Sequence, residues 1–157
     1  MSAERVTPVR EMPAFRQLLE LLVEYERSLP PSLRHGDEPA LAGIRSAYAE
    51  PNAAFLARVD AVAAGCIAVT RLDARTSVVQ RLYVRPRARN RGLARALVTS
   101  AIDFCRSRGY ARVVLDTERE RLPAAYALYA SMGFTICEAY GAVAYDDATF
   151  MELRLDE

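Results

Sequence analysis

The stretch TSVVQRLYVRPRARNRGLARALV, residues 76 to 98, constrains the fold more than any other part of the chain. Residues 76–84 are rich in β-branched and apolar residues, which predicts a buried strand that stops at Pro86. From Gly92 the pattern changes to helical spacing, with Leu93, Leu97, Ala101, Phe104 and Cys105 on one face and Gly109 suited to a left-handed stop. A strand that feeds a helix through a short turn predicts an α/β layer architecture, with that helix lying on the sheet. Between the two elements sit arginines at 85, 87, 89 and 91. Three readings account for them: a solvated loop, a grip on nucleic acid, or a cradle for a small phosphorylated ligand.

The physics of the turn favours an anion. A helix start leaves several backbone N–H groups unpaired, pointing outward with the positive end of the helix dipole behind them. Gly92 has no Cβ, so a bulky anion can approach the backbone, and Ala94 keeps the next position small. Flanking arginines add attraction and possible bidentate contacts to phosphate oxygens. The stretch has no lysine and no GK[ST], so it is not a Walker A loop. Composition weighs on the nucleic-acid reading. The formal net charge is only +1, with 21 basic residues, all arginine, against 20 acidic ones. A dedicated nucleic-acid binder carries a marked basic excess and, for single strands, interleaved aromatics.

The remaining segments fit one domain over residues 1–157, a length that buries a substantial core. A short strand is expected around residues 5–9. A helix follows with Pro13 in its first turn and Phe15, Leu18, Leu19, Leu22 and Val23 at helical spacing. LRHGDEP (33–39) reads as a loop. A second helix starts near Pro39, with Leu41, Ile44 and Tyr48 on one face. AAFLARV and AVAAGCIAVTRL read as antiparallel strands turning at Asp60-Ala61. ARVVLDT is a short buried strand, LPAAYALYASM a helix ended by Gly133, and FTICEA and ATFMELRL the last strands. No apolar run is long enough for a membrane span, and the N-terminus has no signal-peptide core. Cys66, Cys105 and Cys137 are odd in number and each lies in an apolar pattern. They are expected to be buried free thiols in a reducing compartment, the cytoplasm.

The segment LYVRPRARNRGLARALV resembles motif A of the GNAT superfamily of acyl-CoA-dependent N-acetyltransferases: Arg89-x-x-Gly92-x-Ala94 after a strand ending in Val84 and a proline. AAYALYASMGF (124–134) is similar to that family's motif B, and GYARVVLDT between them to its fifth strand. The GCIAV hairpin and the closing FMELRL strand fit as well, so the likeness covers nearly the whole chain. It implies an α/β fold with a mixed, mostly antiparallel central sheet of six or seven strands, splayed in the middle and flanked by about four helices.

The resemblance also implies acetyl-CoA as cosubstrate and acetyl transfer to a primary amine by direct attack in a ternary complex. The backbone of Leu82, Tyr83 and Val84 would face the pantetheine arm and the acetyl carbonyl. The turn Arg89, Asn90, Arg91, Gly92, Leu93, Ala94 and Arg95 would hold the pyrophosphate. Tyr129 matches the tyrosine that protonates the leaving thiolate, against the plainer reading of a packed helix tyrosine.

The sequence departs from the family pattern in two places. Leu122 stands where motif B often has an asparagine, and Val78 and Gln80 stand where many relatives have a glutamate base. The base is therefore open between a water relay and a carboxylate such as Asp116 or Glu138. Asp116 also reads plainly as a strand-end residue, and His35 as a loop histidine. Acceptor-side candidates are Tyr25, Arg27, Arg34, Tyr140 and Tyr145. The acceptor is expected to be a small-molecule or peptide amine, with no metal, nucleic-acid or membrane partner and a monomeric or homodimeric state. A module that binds acyl-CoA without turnover is the alternative.

Overall fold

The computed structural model describes residues 4–34, 39–141, 143 and 145–156. Seven strands form one sheet: β1 (Glu4–Pro8), β2 (Ala53–Val59), β3 (Val62–Arg71), β4 (Thr76–Val84), β5 (Arg112–Thr117), β6 (Thr135–Ile136) and β7 (Thr149–Arg154). Their spatial order is β1-β2-β3-β4-β5-β7-β6. Every neighbour pair is antiparallel except β4 with β5. Four helices cover the sheet: α1 (Met12–Ser28), α2 (Leu41–Ala47), α3 (Leu93–Ser107) and α4 (Pro123–Ser131).

Both faces of the sheet are covered, so the central strands are buried in continuous runs. Ala54, Leu56, Cys66 and Tyr83 pack with α1 and α2. Phe55, Ala57, Ile67, Val79 and Val84 pack with α3 and α4. Neither α1 nor α3 has a side-chain N-cap, so packing holds them. On α1 the buried stripe is Phe15, Leu18, Leu21 and Leu22, each worth roughly 1.5–3 kcal/mol. Leu19 and Val23, expected in that stripe, are only half-buried at its rim. The helix α2 starts at Leu41, two residues beyond Pro39.

Local turn chemistry explains the joints. Asp60 and Ala61 both take positive φ (51° and 68°), the geometry of a two-residue hairpin that matches the strand twist. Gly109 and Gly133 follow α3 and α4 with φ of 79° and 98°. The last segments differ from expectation. Only Thr135–Ile136 of FTICEA form a strand on β7; the Cys137 N–H makes a last bond to the Phe150 carbonyl at 2.8 Å before the chain leaves the sheet edge as a loop. Cys66 and Cys105 are buried free thiols, but Cys137, at the end of that short edge strand, is half-buried.

The feature that positions the site is a split. β4 and β5 pair only at Thr76–Val78 with Arg112–Val114. Beyond that, Leu115–Thr117 pair with β7 alone and β4 bends away. The bend has a cause in the β3–β4 ladder. Cys66 faces Tyr83 while Ala68 faces Gln80, so Arg81 and Leu82 together oppose Ile67. This is a β-bulge, and Arg81 takes φ of 60° to make it. Gly65 allows β3 to follow, since a Cβ there would lie 2.8 Å from the Tyr83 carbonyl oxygen.

Candidate active site

The split opens a cavity of about 670 Å³ between Val79–Val84 of β4 and Asp116–Thr117 of β5. Pro86 and Arg89 lie at one end, Tyr25, Leu33 and Tyr145 at the other, and Tyr129 of α4 lines the wall. A larger cavity of about 860 Å³ lies between the start of α1, the end of α2 and the end of α3. The split edge of β4 and the start of α3 do not line it, and Arg108 there is paired with Glu50 at 3.0 Å.

Above the first cavity the turn from Pro86 to Gly92 leads into α3. The first amide of the helix to find a backbone acceptor is Ala96, on the Gly92 carbonyl at 3.0 Å. The N–H groups of Asn90, Arg91, Gly92, Leu93, Ala94 and Arg95 have no acceptor among the described residues. Positive φ at Asn90 (65°) and Gly92 (80°) curls this run into a concave turn. A Cβ on Gly92 would meet no atom within 4 Å, so the glycine serves the left-handed backbone and leaves the hollow open. Six successive free donors at a helix start fit a pyrophosphate.

The arginines are distributed differently from the expected crowd around an anion. Arg85 is turned to α1, where Glu24 accepts from its Nη2 at 2.7 Å and its Nε at 3.0 Å, and its Nη1 donates to the Ala63 carbonyl at 2.9 Å. Glu24 also accepts from the Tyr83 hydroxyl at 3.3 Å. The Nε of Arg89 donates to the Val84 carbonyl at 3.0 Å. Arg95 ties α3 to α4 through Ser131 Oγ at 2.8 Å. Arg87 and Arg91 are exposed beside the turn. Leu93 is buried and Tyr83 points to the α1 side, so each offers the site its backbone. Leu82 borders the cavity directly.

Tyr129 is 6% exposed, packs edge-on against Phe134 at 5.7 Å and faces the cavity. Burial pushes its phenol well above the ordinary value, with smaller contributions from Tyr25 and Asp116. Asp116, expected as either a candidate base or a plain strand-end residue, is the centre of a cluster. Its Oδ1 accepts from Tyr140 and its Oδ2 from Tyr145, both at 2.8 Å. Burial raises both phenols, and the Asp116 charge and its hydrogen bonds raise them further. Burial takes Tyr25 to about 12, with Arg81 opposing. Asp116 is the one carboxylate among the described residues that lines the cavity; Glu138 is exposed and outside it.

Leu122 does stand at the start of α4 and borders the cavity, without a side-chain cap. The preceding turn is held instead by Glu118, which accepts from the backbone N–H of Arg121 (2.7 Å) and Glu120 (3.2 Å). Arg121 then bridges to Ser32 Oγ and the Asp146 carbonyl, tying three loops around the cavity mouth. Arg34 lines the mouth, whereas Arg27 and Tyr140 do not. His35 lies outside the described residues. Among the described residues no group of three or more His, Cys, Asp or Glu is placed to hold a metal ion, and no helix is long and apolar enough to cross a membrane.

Sequence reasoning missed Glu24 and Arg81, and it named Tyr140 and Tyr145 without their bonds to Asp116. Only Arg81 carried a signal, a charge inside the apolar run VVQRLYV.

A mixed sheet opened at its middle, with an anion cradle at one end of the opening and a buried tyrosine within it, defines a class. It is that of α/β proteins built to lay a phosphorylated ligand along a free strand edge. The sequence matches the Acetyltransferase (GNAT) family over residues 15–134, and the chain belongs to that family of acetyl-CoA-dependent N-acetyltransferases. An uncharacterised N-acetyltransferase of Schizosaccharomyces pombe is 33% identical over 120 residues, 74% of this chain and 73% of that one. An acetyltransferase of Salmonella typhimurium, solved with acetyl-CoA, superposes with a TM-score of 0.80 at 20% identity, covering 99% of this chain and 95% of that one. The ribosomal-protein-S18-alanine N-acetyltransferase of Escherichia coli does so with a TM-score of 0.74 at 21% identity, covering 99% and 96%.

Proposed function

We propose that residues 1–157 form one N-acetyltransferase domain that moves the acetyl group of acetyl-CoA to a primary amine by direct attack in a ternary complex. The observation that carries the reading is the run of free N–H groups from Asn90 to Arg95 above a split strand edge, with Tyr129 inside the same split. The pyrophosphate sits on that run. The pantetheine arm follows the open edge of β4 at Leu82–Val84, where a backbone N–H polarises the acetyl carbonyl.

The amine enters from the Tyr25 and Tyr145 side. Its nitrogen bonds to the carbonyl carbon as the carbon–sulfur bond breaks. The thiolate takes the Tyr129 proton, and the proton released by the amine passes to water in the open cleft and restores the phenol. A phenol held well above its ordinary value stays protonated at neutral pH, as a donor must. Holding both substrates in one cleft supplies proximity without an acyl-enzyme. The free thiols fit a reducing compartment, the cytoplasm.

Release of coenzyme A from acetyl-CoA, followed across a panel of primary amines, tests this. Amine-dependent release is expected. Tyr129→Phe should lower kcat by about 10- to 1000-fold with little change in acetyl-CoA affinity, the lower end applying if amine deprotonation limits the rate. A near-normal kcat would leave solvent as the proton donor. Failure of acetyl-CoA to bind would refute the transferase reading altogether.

A further inference from the structure

The acceptor half of the cleft carries two opposed charges, and together they restrict the amine that fits. Three arginines line the cavity: Arg34, Arg81 and Arg89. Arg34 is committed to the carbonyls of Leu29 (3.2 Å) and Arg27 (3.4 Å), and Arg89 to that of Val84. Arg81 is half-buried as a residue, and its guanidinium meets no hydrogen-bond acceptor or carboxylate among the described residues.

Its position makes this unusual. Arg81 sits at the bulge of β4 with φ of 60°, inside an apolar strand, where neither packing nor backbone preference calls for arginine. A cation that lines a cleft without a partner is stabilised when a ligand brings one. Across the cleft stands Asp116. Its oxygens accept one tyrosine each, which uses two of about four lone-pair sites and leaves room for an ammonium. The two charges are also ordered along the cleft. Arg81 and Tyr25 also border the neighbouring hollow between α1 and α2, whereas Asp116 and Tyr129 do not. Asp116 therefore lies at the reacting end and Arg81 at the far end.

We infer that the acceptor is a small amino acid, its ammonium held at Asp116 beside Tyr129 and its carboxylate on Arg81. This rests on the acetyltransferase reading above. The products are the N-acetyl amino acid, coenzyme A and one proton released to water. A peptide N-terminus has an amide in place of the nearby carboxylate, and a polyamine has none, so each leaves Arg81 unpaired.

The test measures coenzyme A release with α-, β- and ω-amino acids, their primary amides and the corresponding decarboxylated amines. At least one acid should turn over, with kcat/KM about 10- to 100-fold above its amide. Arg81→Asn removes the charge and suits the left-handed backbone; it should bring the acid-to-amide ratio close to one by raising KM for the acid. Arg81→Lys should restore part of the preference. Calorimetry with acetyl-CoA on each protein separates the two readings. If the parent protein binds no acetyl-CoA, the transferase reading fails. If it binds acetyl-CoA but prefers amides or simple amines, acetylates no acid in the panel, or keeps its preference in Arg81→Asn, the amino-acid inference alone is overturned.

Discussion

Replacing Gly92 separates the cradle's role in folding from its role in binding. The residue has φ of 80° and ψ of 11°, and a Cβ on it would meet no atom within 4 Å. In the free protein Gly92→Ala should therefore cost only the left-handed strain of an L-residue, about 1 kcal/mol, or roughly 2–4 °C in Tm for a chain of this size. Gly92→Val adds a β-branch and more left-handed strain. Binding is another matter. The new Cβ projects roughly 1.5 Å beyond the backbone of a hollow lined by six free N–H groups, enough to push a phosphate oxygen past the hydrogen-bond limit at its nearest donors. Loss of one such charge-assisted bond costs about 1.4 kcal/mol or more, which is at least about tenfold in Kd. Calorimetric titration of acetyl-CoA into the parent, Gly92→Ala and Gly92→Val, with melting curves in parallel, reads both effects. Arg89→Ala should lose less, because its side chain is turned back to Val84 and surface charge is screened. Unchanged acetyl-CoA affinity in a folded Gly92→Val protein would refute the cradle.

Two further outcomes follow from the β3–β4 region. Gly65→Ala places a Cβ 2.8 Å from the Tyr83 carbonyl oxygen and 3.2 Å from Leu97 and Val84, so it should destabilise the fold by about 1–3 kcal/mol, read as a lower denaturant midpoint; an unchanged midpoint would contradict the close approach of these strands. Burial raises the Cys66 thiol from 9.0 to about 12, so the unfolded chain loses this proton first, and the stability it confers is full below about pH 9 and declines towards pH 12. Unfolding free energy should fall by up to about 1.4 kcal/mol per pH unit from this group, and Cys66→Ala should flatten the slope between about pH 9 and pH 12. Equal slopes in the two proteins would show that the thiol does not ionise on unfolding.

The two halves of the cleft were unequally visible in the sequence, and the reason is physical. The cofactor half is contiguous. A strand, a proline, a left-handed glycine and a helix stripe within residues 76–105 are enough to aim a run of N–H groups at one point, and each leaves a local mark. Even there the side chains misled. Arg85 and Arg89 looked like phosphate ligands, but Arg85 answers to Glu24, 61 positions away, and Arg89 folds back onto Val84. The acceptor half is assembled at long range. Asp116 meets Tyr140 and Tyr145, 24 and 29 positions on, through a loop with no periodicity to read. The split itself is a pairing that stops: nothing in SVVQRLYV states that β5 leaves at Val78. What the sequence did record is the strain at that point, an arginine where an apolar strand residue belongs. A charge that local structure has no use for is free to pair with a ligand, and Arg81 lines the cleft where the inferred carboxylate would meet it.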